Sequence, residues 1–353
     1  MMVSARVNIG DPLATIGDVA RVAGVSRSTV SYALSGKRPI KQETRDRINA
    51  AIDQLGFTVN AGARALATAQ THVIALHVRF HSDEFAVAMT QYVVPLADAL
   101  RERGYDMLMT TEEDGAAAIE RMTSSRRVDG IILLDVHDHD ERVSVIRKVD
   151  RPSVLIGLPK NHEGVTAVDL DFSKAGRVLV DVLHEAGHSE LLLITPPPGV
   201  FRRGGEYARR FRDAAVSRAQ ALGLDLHVEA GPADGPGAHA DTDSILNRYP
   251  NVTGLIVHND ATVAILPEIL RQRNASVPKD LSVVSLFSEP FSRLFHLDFS
   301  AIDTIPATLA QLAVNQLVDT IEQGSNQAEP GITLLEPILV DRGSISNPPA
   351  HRH

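Results

Sequence analysis

Over residues 15–57 the apolar positions recur at helical spacing. Ile16, Val19, Ala20 and Ala23 share one face, with Thr15 as N-cap and Asp18 at the capping-box position. Gly24 allows a tight turn, Val25 points back to the core, and Ser26 caps a second helix whose Val30, Ala33 and Leu34 face inward. "QETRDRINAAIDQLGF" then predicts a third helix, with Ile48, Ile52 and Leu55 closing a three-helix core. From residue 72 the period changes. "HVIALHV", "YDMLM", "GIILL", "SVLIG", "AVDL", "LLLIT", "LDLHVE", "GLIVH", "LSVVSLF" and "AIDTI" read as strands. Helical stretches at 84–102, 172–186, 205–222 and 260–273 lie between several of them. Repeated βα units predict parallel sheets covered on both faces. About ten strands is many for one compact sheet. Pro159 with "KNHEG" is read as the crossing into a second lobe. Two such lobes place a ligand cleft between them, at the carboxyl ends of the strands.

The polar positions give the second helix its meaning. Arg27, Ser28, Ser31 and Tyr32 point outward in i, i+4 pairs, so its first turn projects one cation among short hydroxyls. Such a helix can enter a major groove. Its leading residues then meet base edges, while the hydroxyls, the helix N-terminus and Lys37/Arg38 meet phosphates. The alternative is an ordinary surface helical hairpin. Charge favours the groove. The chain of 353 residues carries a net −9, but residues 1–70 hold nine Lys+Arg against five Asp+Glu, and all 14 histidines lie beyond them. A basic head on an acidic body fits a polyanion-binding module joined to something with another task. Residues 61–67 are small and helix-friendly but too few to be helical alone, and Gly62 weakens them further.

The head resembles the lactose-repressor (LacI/GalR) family of bacterial transcription factors in "TIGDVARVAGVSRSTVSYALSG", "ETRDRI" and "LGFTVNAGARAL". The resemblance implies that Arg27 and Ser28 read bases. Tyr32 stands where a guanine-reading arginine is usual. Thr15, Ser26, Thr29, Ser31, Lys37 and Arg38 would hold phosphates, and Ala63 and Leu66 of a hinge helix would enter the minor groove. Lys41 replaces the usual capping serine. The body is similar to the same family's effector core, itself related to periplasmic sugar-binding proteins, through "LADALRERGYDMLMTT", "RRVDGIILL", "VDLDFSKAG", "GLIVHNDATVA" and "VPKDLSVVSLF". The expected fold is therefore a small all-α helix-turn-helix head plus a two-lobed α/β core with parallel sheets. The expected boundaries are a disordered arm at 1–13, the head at 14–59, the hinge at 60–71, the core at 72–342 and a tail at 343–353.

The body shows no nucleophile elbow, P-loop or dinucleotide glycine fingerprint, so an enzyme is not expected and no cofactor is assigned. "HDHDE" at 137–141 reads as a solvated loop rather than a metal site. "PPPGVFRRGG" is a proline-stiffened loop expected at the cleft mouth. The resemblance gives Asp260 to ligand hydroxyls. Other sugar handles of the family are replaced by Gly157, Tyr207 and the run Phe287, Ser288 and Glu289. Candidate effector residues are His77, Arg79, Phe85, Arg203, Tyr207, His258, Asp260 and Phe287, with Arg202 nearby. The cations among them suit an anionic metabolite, unless they are solvated or paired with carboxylates; a neutral sugar or nucleoside is the other choice.

The expected protein is a homodimeric regulator, most simply a repressor, that binds a palindromic double-stranded DNA operator under control of a small-molecule effector; a tetramer is left open. Control by a protein partner, or a pure receptor of the periplasmic type, are the alternatives. The first residues lack an apolar stretch, no run reaches the length of a membrane span, and there is no cysteine, so a cytoplasmic location is expected.

Overall fold

The computed structural model describes residues 14–35, 38–57, 70–84, 86–233, 235–324 and 330–349. The expected arm, the hinge with Gly62, Ala63 and Leu66, as well as Lys37 and Phe85, lie outside the described residues. The chain divides into two units, Met1–Thr71 and His72–His353.

The first unit is a three-helix head of α1 (Ile16–Ala23), α2 (Arg27–Ser35) and α3 (Gln42–Leu55). The capping box forms: Thr15 Oγ1 accepts from the Asp18 amide at 3.3 Å and Asp18 Oδ2 accepts from the Thr15 amide at 3.1 Å. Gly24 ends α1 at φ 64°, the left-handed turn that sends Val25 back. Ser26 Oγ accepts from the Thr29 amide at 3.0 Å. Lys41 makes no side-chain cap at α3. Val19, Ala20, Ala23, Val30, Ile48 and Ala51 form the buried centre, joined by Phe57, with Ile52 and Leu55 half-buried at its edge.

The second unit has two lobes. Lobe 1 begins with β1 (Val73–His77), α4 (Ala86–Glu102), β2 (Asp106–Thr110), α5 (Gly115–Ser124), β3 (Gly130–Leu133), α6 (Glu141–Ile146), β4 (Ser153–Ile156) and β5 (Thr166–Leu170). Lobe 2 follows with α7 (Phe172–Glu185), β6 (Glu190–Thr195), α8 (Pro198–Arg202), α9 (Glu206–Leu222) and β7 (Asp225–Ala230). It continues with α10 (Ala238–Arg248), β8 (Gly254–Val257), α11 (Asp260–Gln272), β9 (Ser282–Leu286), α12 (Glu289–Phe295) and β10 (Ser300–Ile302). The chain then returns α13 (Pro306–Gln323) and β11 (Ile332–Leu335) to lobe 1 and adds β12 (Leu339–Val340) to lobe 2.

The sheets run β11-β5-β4-β3-β1-β2 and β12-β10-β9-β8-β6-β7. All pairings are parallel except β10 with β12. In each lobe the order reverses beside the first strand, between β1 and β3 and between β6 and β8. In open α/β sheets a ligand crevice lies at such a reversal, outside the carboxyl ends of the strands. Each sheet is sandwiched. Leu96, Leu100, Val314 and Leu317 cover one face of lobe 1, and Ile119, Met122, Val143 and Ile146 cover the other. In lobe 2, Leu179, Leu183, Phe211 and Ala215 pack one face while Leu266, Leu270, Phe291 and Leu297 pack the other.

The lobe crossing expected at Pro159 is not there. β4 and β5 pair directly in one sheet, so the 159–164 segment is a loop within lobe 1. The chain crosses at 171, at 303–305 and at 336–338, where strands end and the next element packs on the other lobe. Ile305 packs against the cores of both lobes. β11 and β12 come in addition to the ten expected strands.

Candidate functional site

In the head, α2 presents the expected face. Ser26, Arg27 and Ser28 are exposed, and Thr29, Ser31 and Tyr32 are half-buried. Ser26 Oγ lies 2.7 Å from Ser28 Oγ and 2.8 Å from Thr29 Oγ1, so the hydroxyls form one linked cluster at the helix N-terminus. The Arg27 guanidinium lies over α1 at Gly17, where a Cβ would come within 2.8 Å of Nη2. Arg38 sits over the Tyr32 ring, 5.2 Å from its centroid. Thr15 Oγ1 is spent on its cap, donating to Asp18 Oδ2 at 2.7 Å.

In the second unit, a cavity of about 180 Å³ opens between the lobes. It is walled by the carboxyl ends of β1, β3, β4 and β5 on one side and by those of β6, β8 and β9 on the other. Asn259 caps α11, its Oδ1 accepting from the Thr262 amide at 2.7 Å and its Nδ2 donating to Pro232 O at 3.1 Å. That cap fixes Asp260 as the first residue of α11, facing the cavity. Enclosure by protein, with Glu84 close by, pushes the Asp260 carboxyl up to about 7. His258 packs among rings, 4.4 Å from Phe211 and 6.0 Å from Phe172 between centroids. Burial pushes it down to about 3, so it is neutral, and its Nδ1 has no hydrogen-bond partner among the described residues. Phe172, Tyr207 and Phe287 add aromatic faces, and burial drives the Tyr207 hydroxyl well above its usual range. Gly157 lines the floor at φ 115°.

Of the residues expected to bind an effector, Arg79, Tyr207, His258, Asp260 and Phe287 line the cavity. His77 does not. It is fully buried behind the wall, its Nδ1 receiving Arg142 Nη1 at 2.9 Å and its Nε2 lying 3.0 Å from Glu112 O. Arg203 reaches across the mouth instead of inward, bound to Asp83 Oδ2 at 2.9 Å and to Glu84. Arg202 is exposed. The predicted convergence of cations is thus corrected. Among the described lining residues Arg79 is the one permanent cation, against the carboxylates of Asp83, Glu84, Asp135, Asp169 and Asp260.

The 137–141 segment is solvated only in part: His139 and Glu141 are exposed, His137 and Asp138 are half-buried, and Asp140 is buried. Asp140 and Arg142 are buried and paired, Nη2 to Oδ2 at 2.6 Å, and Arg142 Nη1 also donates to Leu134 O at 3.1 Å. This buried pair shapes the turn after β3. Asp169, paired with Arg210, and the aromatic wall residue Phe172 escaped the sequence reading too. Phe172 and Asp169 sit in the quoted "VDLDFSKAG", so strand-end position was the available signal.

The lobes are closed on each other at one edge of the cleft. Besides Arg203, the Asp138 amide donates to Gly204 O at 2.8 Å and Arg209 Nη1 pairs with Asp138 Oδ2 at 2.7 Å. Gly204 has φ 84°, and a Cβ there would fall 2.0 Å from Asp138 Oδ1. Ser288 of lobe 2 bonds Gln91 of lobe 1 on another side.

A helix-turn-helix head joined to two parallel α/β lobes with a polar, aromatic-walled cleft defines a ligand-controlled DNA-binding regulator. Residues 15–60 match the family described as bacterial regulatory proteins, lacI family, and residues 180–345 match the periplasmic binding protein-like domain. The HTH-type transcriptional regulator CelR of Thermobifida fusca is 28% identical over 337 residues, covering 94% of this chain and 98% of the relative. The ribose operon repressor of Escherichia coli K12 is 26% identical over 340 residues, covering 94% and 100%. The lac repressor dimer bound to operator and the anti-inducer ONPF superposes with a TM-score of 0.78 at 22% identity, covering 94% and 99%. The chain carries a lacI-family helix-turn-helix domain and a periplasmic binding protein-like domain, and its relatives are lacI-family regulators. It is a DNA-binding transcriptional regulator and not an enzyme. Among the described residues no helix is long and apolar enough to cross a membrane.

Proposed function

We propose that this regulator is a repressor, acting in the cytoplasm as a homodimer on a palindromic operator, whose release is set by a neutral, polyhydroxylated ligand of carbohydrate type. Twofold symmetry of the protein imposes twofold symmetry on its site. Arg27, Ser28 and Tyr32 read bases in this account. Ser26, Thr29, Ser31, Lys37, Arg38 and the Thr15 end of α1 hold phosphates, and Ala63 and Leu66 enter the minor groove.

The observation that carries the ligand class is the cleft's balance of groups. Asp260 offers a carboxyl that no cation among the described residues pairs with, while Asp83, Glu84, Asp135 and Asp169 are already engaged. Rings of Phe172, Tyr207 and Phe287 supply apolar faces for the C–H side of a sugar ring. A phosphate or carboxylate ligand would meet Asp260 and four carboxylates whose partners are already taken, with Arg79 as the one arginine among the described lining residues to receive it, so the cleft offers an anion little Coulomb gain. The ribose operon repressor, by its name a regulator of carbohydrate genes, points the same way.

The test is a thermal-shift screen of the full chain against neutral sugars, sugar phosphates, organic acids and nucleosides. A ligand at a hundredfold excess over its Kd adds about 2.7 kcal/mol of apparent stability. The expected result is a shift with neutral sugars that shrinks in Asp260→Asn. A response confined to anionic compounds would overturn the assignment.

A further inference from the structure

The turns after β1 and β3 bring together three groups far apart in the chain. His81 Nε2 lies 3.1 Å from Asp135 Oδ2, and His137 Nε2 lies 3.2 Å from the same oxygen. All three atoms lie within 4.8 Å of one another. In a tetrahedral site with bonds of about 2.0–2.2 Å, neighbouring donor atoms stand roughly 3.3–3.5 Å apart. The two imidazole-to-carboxylate distances are within a few tenths of an ångström of that, and the two imidazoles stand no further than 4.8 Å apart. The three side chains are 19%, 8% and 12% exposed, so they are drawn out of bulk water, and His81 and Asp135 open onto the cleft. Asp135 adopts φ 56°, a left-handed conformation in which Asp is enriched among residues with a Cβ. Here that turn aims the carboxylate between the two imidazoles.

We propose that His81, Asp135 and His137 form a binding site for a zinc-type divalent transition metal at the mouth of the cleft, with its fourth position open to the cavity. Two imidazoles and a carboxylate, with no thiolate, suit Zn²⁺ and its substitutes Co²⁺ and Ni²⁺ rather than Mg²⁺ or Ca²⁺. The residue that competes with the ion is Arg79. Its Nη1 lies 3.3 Å from His137 Nδ1, and a guanidinium only donates. Without metal, therefore, Nδ1 accepts, the ring proton sits on Nε2, and that N–H donates to Asp135. An ion needs the Nε2 lone pair, so the Nε2 proton leaves to solvent and Nδ1 takes one up. An Nδ1–H cannot accept from Arg79, which then turns to Asp140, whose Oδ2 is already 3.8 Å from Nη1. Metal occupancy thus repositions the cavity's one permanent cation among the described lining residues. His137 also pairs through its backbone with Gly205 of lobe 2, so the ion would stiffen the edge at which the lobes close.

The experiment takes the full chain after chelator treatment and titrates it with Zn²⁺ by calorimetry and with Co²⁺ by visible absorption, in the absence of any effector. The site predicts one ion per chain, cobalt bands of four-coordinate intensity, loss of both in His81→Gln and Asp135→Asn, and retention in His139→Gln, an exposed neighbour. Arg79→Gln should tighten binding several-fold by removing the competitor. Thermal melts establish that each variant is folded. Should Asp135→Asn melt early, His81→Gln on its loop decides. Absence of a stoichiometric ion, binding that survives His81→Gln, or loss in His139→Gln would each overturn the proposal.

Discussion

Asp260 shows how a single residue takes its properties from where its neighbours put it. The Asn259 cap holds it at the start of a helix, which favours charge, yet enclosure and Glu84 win and lift its pKa to about 7. The ionised form is the stronger acceptor for ligand hydroxyls and becomes the majority only above that value. Effector affinity is therefore predicted to rise as pH goes from about 6 to about 8. Asp260→Asn should weaken binding by about 1–3 kcal/mol and flatten the profile, as read by calorimetry across that range. Stability runs the opposite way. Between the ordinary carboxylate range and about 7 the folded group holds more protons than the unfolded one, so its contribution is lost as pH rises through that window. At the DNA end, Arg27→Ala should cost about 1–3 kcal/mol and relax one operator position, whereas Lys37→Ala should weaken all sequences alike and reduce the salt slope. Equal, sequence-independent losses would remove Arg27 from base reading. Asp260 was legible from its motif. The fate of His77 was not, because its partner Arg142 comes from the turn after another strand and nothing local announces that contact.

At the scale of elements, the closing edge of the cleft hangs on side chains from three segments. Arg203, following α8, pairs with both Asp83 and Glu84 on the loop after β1. The groups are partly exposed, so the contact is worth about 1 kcal/mol, not more. Arg203→Ala leaves two carboxylates facing Asp135 with no counter-charge. The closed form should then be less populated, and the apparent effector affinity should fall several-fold by calorimetry. Unchanged affinity would mean that Arg203 does not hold the lobes together. The proposed hinge segment carries a matching prediction: Gly62→Ala raises helix propensity by about 1 kcal/mol and should tighten operator binding in a gel-shift titration. If affinity stays the same, folding of that segment is not coupled to DNA. The long elements were readable because their periodicity spans several turns or both faces of a buried strand; α7, α9 and α11 match expectation within a residue or so at each end. β11 and β12 were not, being two to four residues between proline and glycine and defined only by the strands they join. Pro159 misled for a related reason. A proline-glycine loop marks a turn, and the sequence does not say whether the next strand returns to the same sheet.

Over the whole molecule, charge divides the labour. The basic head meets a polyanion, and the acidic body holds a cleft in which most carboxylates are already paired. That division was visible in the composition, but its meaning for the ligand was not. Counting cations at strand ends suggested an anionic effector, whereas placement put Arg203 across the mouth, Arg202 outside and His77 behind the wall. The head was legible almost throughout because its caps, its glycine turn and its apolar faces are all local. The body's cleft is made by residues from seven strand ends, so only its location could be inferred beforehand.

The central claim is that this chain reads a symmetric DNA site through two copies of α2. Full-length protein should be allowed to select from a random duplex library at physiological salt, and the bound sequences determined, alongside the same selection with Arg27→Ala. The account predicts a twofold-symmetric consensus with two half-sites, each losing definition at one position in the variant. An asymmetric consensus, or no enrichment over the starting library, would contradict it.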